Sequence, residues 1–398
     1  MLEASMQEAT IQAYLDNAAT TQLSTTARNA MLSACDIYGN PSSLHRQGRE
    51  AAAALQQARE TIAACIGAKP GEIYFTSGGT EADNQAIASC VGRGGKTHIV
   101  TTNIEHHAVL HDLERLKKTR GVTVTLIKVD RDGLVNPNDV RDALREDTCL
   151  VSVMHANNEI GTIQPIAEIG AICRAAKVPF HCDAVQSTGH IPVDVKAMNV
   201  DMLSLSAHKF HGPKGVGALY CRQGMPLQPL LVGGTQERNR RAGTENLPAI
   251  AGMAAALVES LAEMNEVSAR LMDFRNQLFK GLSAIDRSHL NGSKTQRLPG
   301  NVSFCFEGLE GEALLLHLDA RGIAASSGSA CTSGSLDPSH VLLAIGHPHE
   351  IAHGSLRLSL SRYTTQEEIT HTLREIPKVV EYLRNMSPVW EKIISAEA

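Results

Sequence analysis

Three short stretches of this chain place reactive side chains directly after apolar runs, where buried strands would deliver them to a common edge. In Pro179-Phe180-His181-Cys182-Asp183-Ala184-Val185-Gln186-Ser187 a carboxylate closes a strand-like run. A buried carboxylate without a counter-ion is costly, and a protonated ring nitrogen would satisfy it. A heterocycle whose nitrogen is kept protonated is an electron sink, so Asp183 points to a pyridinium cofactor. Gln186, one turn later, could donate to that cofactor's phenolic oxygen. In Leu203-Ser204-Leu205-Ser206-Ala207-His208-Lys209-Phe210-His211-Gly212-Pro213-Lys214-Gly215 a lysine follows strand and hydroxyl residues. Desolvation there lowers its pKa and makes Lys209 a Schiff-base nucleophile. Lys214 is the rival, but it sits inside the Gly/Pro turn and is expected to be exposed.

The third stretch is Phe75-Thr76-Ser77-Gly78-Gly79-Thr80-Glu81-Ala82-Asp83-Asn84. It reads as a strand, a small-residue turn and a helix start, whose backbone N–H groups and hydroxyl suit a phosphate. Ser206 and His208 could hold the same phosphate as Thr80. Taken alone, a capped helix after a tight turn explains this stretch equally well. It is neither a P-loop nor a G-x-G-x-x-G fingerprint, which disfavours ATP and NAD. Asp183 and Lys209 lie on successive strands, as an Asp–pyridine–Lys sandwich requires.

The elements that must position these residues are legible as an alternation. Apolar strands are expected at 72–76, 97–102, 123–129, 150–154, 179–183, 202–206 and 217–221, with helical patterns such as 106–118 and 165–176 between them. That order predicts an α/β fold with a mostly parallel sheet covered by helices on both faces. Ligands gather at the carboxyl ends of such strands. A long helical pattern over 247–282 leads into strands at 302–306 and 355–359 and helices at 311–320 and 366–385. We read a large domain over 16–262 and a smaller α/β domain made of 1–15 and 263–398, without an internal repeat.

A length of 398 residues is more than one ordinary core needs. A 43% hydrophobic, 20% charged composition is that of a soluble globular protein. A net charge of −5 without a long basic run offers no footprint for nucleic acid. The first residues lack the apolar core of a signal peptide, and no stretch of uninterrupted apolar residues reaches membrane-spanning length. A cytoplasmic location is the expectation. The nine cysteines form no C-x-x-C pair, which argues against a disulfide framework or a zinc site. Cys35, Cys65, Cys90 and Cys173 fall in helical patterns, and Cys149, Cys182, Cys221 and Cys305 in or beside strands. All eight read as small buried hydrophobes. Cys331 differs, because Ser326-Ser327-Gly328-Ser329-Ala330-Cys331-Thr332-Ser333-Gly334-Ser335 cannot form a core strand or hide a thiol.

Together these blocks resemble the fold-type I pyridoxal-phosphate (PLP) enzymes of the class V aminotransferase group, and specifically the NifS/IscS-type cysteine desulfurases. The resemblance runs from Tyr14-Leu15-Asp16-Asn17-Ala18-Ala19-Thr20-Thr21 to Arg357-Leu358-Ser359, and is most specific at 326–342. It implies conversion of L-cysteine to L-alanine, with the sulfur carried as a persulfide on Cys331. That thiol is also the one candidate for transient iron–sulfur ligation. By the same resemblance Lys209 joins the cofactor, Asp183 pairs with its pyridine nitrogen and Gln186 meets its phenolic oxygen. Gly79, Thr80, Ser206 and His208 form the phosphate cup. His106 stacks on the ring, Asn158 lies beside the cofactor and Arg357 grips the substrate carboxylate. His107 neighbours His106, and a one-residue slip would exchange their roles. Gly243-Thr244-Glu245-Asn246 resembles the nitrogen-fixation branch, and its Thr244 would reach the partner subunit's phosphate in a homodimer. The implied partners are L-cysteine and a sulfur-acceptor or iron–sulfur scaffold protein.

From the residues alone, Arg357 could be an ordinary partner of a carboxylate. Asn17 could cap a helix or touch substrate, and Arg238, Arg240 and Arg241 could be a solvated cluster. An aminotransferase or selenocysteine lyase on this fold is the main rival; an aminotransferase gives no reason for Cys331. A non-catalytic scaffold holding a metal cluster leaves Asp183 and Lys209 without a purpose.

Overall fold

The computed structural model describes residues 11–327 and 338–395. The chain divides into two compact units. The larger takes Thr20–Asn158 and Thr162–Glu266; the smaller takes the chain up to Ala19, Glu159–Gly161 and everything from Val267 onward.

The larger unit is built on a seven-stranded sheet. In spatial order its strands are Ile73–Thr76, Gly217–Cys221, Met202–Ser206, Phe180–Asp183, Thr148–Ser152, His98–Thr102 and Thr123–Ile127. Six run parallel, and Gly217–Cys221 runs antiparallel to both neighbours. Five of the strands are buried along their whole length, as expected for a sheet covered on both sides. Successive side chains alternate between two cores. Val100, Val151, Phe180, Leu203, Leu205 and Tyr220 enter one core with Leu55, Ile62 and Met253. Ile99, Leu150, Met202 and Leu219 enter the other with Ile87 of helix Gly79–Cys90 and Leu113 of helix His107–Arg120. Each fully buried side chain of Phe180 size contributes about 1.5–3 kcal/mol of burial. Gly217 is required by a close approach: a Cβ there would lie 2.6 Å from Leu205 O and 2.7 Å from Gly78 Cα.

In the smaller unit Asn301–Phe306 lies between Ser355–Ser359 and Ser288–Leu290, all antiparallel. Ala13–Tyr14 pairs with Ile323–Ala324 in a separate parallel ribbon. Leu278, Phe304, Leu314, Leu358, Ile369 and Ile376 form its core. Helix Gln366–Asn385 opens on a capping box in which Thr365 and Glu368 satisfy each other's backbone N–H. Helix Leu247–Leu282 is long and apolar enough to cross a membrane by composition, but 56% of the apolar window is buried inside the protein. Polar residues interrupt its Ala-rich face, so it contains no uninterrupted apolar run of spanning length.

Candidate active site

The Asp183 strand is the central strand of the seven. Asp183 is its last residue, and its carboxylate is buried. The Val185 N–H donates to Asp183 Oδ1 at 2.9 Å. Burial pushes this carboxyl above the ordinary carboxylate range, against the pull of the Val185 N–H and of the Lys209 ammonium. Lys209 ends the 3-10 turn Ala207–Lys209, which begins directly after the adjacent strand Met202–Ser206. The two residues thus leave the carboxyl ends of neighbouring parallel strands. Lys209 is half-buried, whereas Lys214 is exposed. His190 Nε2 lies 2.8 Å from the Lys209 carbonyl and ties down the turn.

The same turn is stitched to the start of the unit. Thr21 N and Oγ1 both donate to His208 O, the His211 N–H donates to Thr21 Oγ1, and His208 Nδ1 lies 3.2 Å from Thr20 Oγ1. Burial, then the Lys209 and Lys214 charges, push the His208 imidazole down to about 4, so it is neutral at pH 7. Ser206 is the buried last residue of its strand. Its Oγ would lie 3.7 Å from a Cβ at Gly78, and a Cβ at Gly79 would meet Val185 Cγ2 at 2.6 Å and Ser206 Cβ at 3.7 Å. Gly79, Ser206 and the residues after Asp183 therefore converge. Helix Gly79–Cys90 opens on Gly78 with no side-chain cap, and Thr80 is exposed in its first turn. Uncapped first-turn N–H groups suit an anion.

His106 is the N-cap of helix His107–Arg120, and its Nδ1 accepts from the Ala108 N–H at 3.1 Å. His107 instead stacks on His111, with centroids 4.6 Å apart. The two histidines are therefore in different settings, one at the strand-to-helix junction and one on the helix flank. Asn158 is buried; nearby, the His155 N–H donates to Asp183 O. Gln186 is half-buried in the turn after Asp183. Thr244 is exposed, just before helix Leu247–Leu282.

In the smaller unit Arg357 is buried in strand Ser355–Ser359 and donates from Nη2 to Asp16 Oδ1 at 2.8 Å. The Asn17 amide donates to Tyr14 O at 3.1 Å and Ser359 O at 2.8 Å, pinning that turn rather than capping a helix. Ser326 and Arg357 exchange backbone hydrogen bonds. Cys331, which this segment leads to, lies outside the described residues.

Arg238 and Arg240 are exposed, in keeping with a solvated cluster, and Arg241 is half-buried, but each guanidinium also has a partner. Arg238 donates to Ile73 O and covers the Tyr74 ring, Arg240 donates to Leu227 O, and Arg241 pairs with Glu81 at 2.9 Å. Against the expectation that all eight are buried, Cys35 is exposed and Cys65 half-buried; the other six described cysteines are buried, and all eight are free thiols.

Sequence reasoning passed over several buried titratable groups. Glu105 accepts from Thr102 Oγ1 at 2.6 Å and the Met154 N–H at 3.1 Å, and burial pushes it up to about 8. Glu159 accepts from Ser339 Oγ, and burial raises it to about 7. Asp83 and His181 lie within the larger unit's core. One signal was available: Asp83 shares a helical stripe with Ala86, Ile87 and Cys90, where an apolar residue belongs.

With this geometry established, comparison with known proteins identifies the group. The family profile described as Aminotransferase class-V matches residues 13–371. A cysteine desulfurase IscS from Methanosarcina thermophila is 52% identical over 382 residues, covering 95% of this chain and 94% of the relative. One of that name from Dictyoglomus turgidum is 50% identical, covering 95% and 96%. A solved structure titled NifS-like protein superposes with a TM-score of 0.88 at 37% identity, covering 94% of this chain and all of that one. The chain belongs to the class-V aminotransferase family, in its cysteine desulfurase branch. It is accordingly a PLP-dependent enzyme of fold type I. The residues present fit that cofactor. Asp183 is a buried carboxylate suited to a protonated ring nitrogen, Lys209 stands at the next strand end, and an uncapped helix opens where Gly79 leaves no room for a side chain.

Proposed function

We propose that this enzyme converts L-cysteine to L-alanine and transfers the sulfur to Cys331 as a persulfide for delivery to an acceptor. The observation that carries this reading is the pairing of buried Asp183 with Lys209 at the carboxyl ends of adjacent strands, in a chain half-identical to cysteine desulfurases. PLP, when bound, supplies an electron sink next to the substrate's Cα. Asp183 would hold its ring nitrogen protonated, and Gln186 would donate to its phenolic oxygen. Gly79, Thr80, Ser206 and His208 would hold its phosphate, with Thr244 contributed to the partner subunit's copy in a homodimer. His106 would cover the ring, with Asn158 beside it.

Arg357 binds the substrate carboxylate through charge-assisted hydrogen bonds. Asn17 fixes the turn beside it. Lys209 removes the Cα proton as general base and returns a proton during alanine formation. The Cys331 thiolate attacks the substrate sulfur. The C–S bond breaks as the S–S bond forms, and protons return to carbon. The sum is cysteine plus thiol giving alanine plus persulfide, with no external oxidant. The acceptor is a sulfur-accepting or iron–sulfur scaffold protein, and the location is cytoplasmic.

The test is incubation of the purified enzyme with L-cysteine, with and without a thiol reductant. Sulfide and alanine should appear in equal amounts with reductant. Brief treatment without it should leave one added sulfur on Cys331 by mass spectrometry. Cys331→Ser should bind cysteine yet form neither persulfide nor sulfide. Added sulfur on another cysteine, with Cys331→Ser still active, would overturn the assignment.

A further inference from the structure

Three strands of the larger sheet carry a polar residue on the face covered by helix Gly79–Cys90. Ser152 and His181 are register partners, and Ser204 lies on the next strand over. Phe180, Cys182, Leu203 and Leu205, the residues flanking His181 and Ser204, enter the opposite core. The three polar groups form a continuous row. His181 Nδ1 is 2.9 Å from Ser152 Oγ, and His181 Nε2 is 2.9 Å from Ser204 Oγ. Ser204 also hydrogen-bonds Asp83 of the covering helix. All four side chains are buried.

This row contains no counter-charge for Asp83. Burial pushes the His181 imidazole down to about 3, so it is neutral and relays hydrogen bonds in either tautomer. Its Nε2 lies 3.5 Å from Asp83 Oδ1, which has no hydrogen-bond partner among the described residues. Among the described residues, the ionisable groups with the strongest effect on Asp83 are Asp183 from the central strand, Glu105 from the turn before helix His107–Arg120, and Asp112 from that helix, all acidic. Asp183, by contrast, has the Val185 N–H and the Lys209 charge. Two buried carboxylates that interact this strongly cannot both ionise cheaply, and the charge settles on the better-solvated one.

We infer that Asp83 is a positioning residue for Asp183: a neutral acid that ends the Ser152–His181–Ser204 row and leaves Asp183 as the anion facing the cofactor's ring nitrogen. The inference rests on the reading that Asp183 meets that nitrogen, but not on the identity of the substrate. Asn is the isostere of a protonated Asp, so the two forms of Asp83 are separable by substitution. A neutral Asp83 predicts that Asp83→Asn keeps cofactor affinity within about twofold of the wild type, whereas Asp83→Ala, which leaves Ser204 only its His181 partner, weakens it about tenfold. Asp183→Asn sets the scale for losing the anion.

A second readout uses the cofactor-free full chain. A carboxyl raised on folding stabilises the protein at low pH, and that contribution is lost as pH rises through its folded value. The unfolding temperature of the wild type should therefore fall more steeply than that of Asp83→Asn as pH rises above the ordinary carboxylate range. Cofactor affinity, the position of the visible band and these melting curves are all measured without turnover, so they stand even if cysteine is not the substrate. Asp83→Asn matching the cofactor loss of Asp183→Asn would make Asp83 the anion and overturn the proposal. Identical melting profiles for wild type and Asp83→Asn across that pH range would overturn it as well.

Discussion

The two faces of the large sheet are made by the same strands, yet they do different work. One face is a continuous apolar core running from Val151 through Phe180 to Leu203 and Leu205. The other begins the same way with Ile99, Leu150 and Met202, but Ser152, His181 and Ser204 interrupt it beneath helix Gly79–Cys90. The apolar face only has to exclude water. The interrupted face supports a buried carboxylate and a lysine at its carboxyl edge, so it must satisfy polar groups internally. Stability is concentrated on one side and chemistry at the rim of the other.

The sharpest break in this comparison is at the rim. Lys209→Ala should lower turnover by about 10³-fold or more and abolish borohydride-reducible attachment of the cofactor, while Lys214→Ala stays coloured and active. Normal turnover by Lys209→Ala would mean that the lysine is misassigned. On the apolar face, Phe180→Ala should destabilise the protein by about 3–5 kcal/mol, read as a shift in the urea midpoint. A loss below about 1 kcal/mol there would show that the two faces do not differ as described. On the polar row, Ser152→Ala should cost about 1–2 kcal/mol, because it removes one partner of the buried His181 ring. Per substitution, the row then contributes less to stability than the apolar face.

The smallest effect expected is in pH dependence. Glu105 is raised to about 8 by burial, above the ordinary range of a glutamate. Its contribution to stability is therefore full in acid and is lost as pH rises through about 8. Glu105→Gln should flatten the fall in stability between the ordinary glutamate range and about pH 8, and leave the slope above that unchanged. A fall across that window as steep as in the wild type would assign the loss to other groups.

Much of this organisation was legible before any coordinates. The seven strands fall within a few residues of the expected 72–76 to 217–221, since buried β-branched and aliphatic runs bounded by turns have few alternatives. Helices Leu247–Leu282 and Gln366–Asn385 end where their periodicity ends. Asp183 and Lys209 stood out because a charge directly after a buried strand is anomalous on local grounds alone. The antiparallel direction of Gly217–Cys221 was not legible, because strand direction depends on which neighbour the chain meets and not on its own residues. Nor were the roles of Arg241 and Arg238, which are decided by Glu81, Tyr74 and Ile73, more than a hundred residues away in sequence.

What the amino-acid order determined by itself was local: periodicity, turn chemistry and the reactive residues at strand ends. The tertiary structure alone decided the partners. Ser152, His181 and Ser204 each look ordinary in sequence, and with Asp83 they form one buried row only because three parallel strands align beneath one helix. Electrostatics follows the same division. A side chain's charge type is written in the sequence, but its state depends on desolvation and neighbours that folding brings together, and that dependence makes Asp83 and Asp183 different acids.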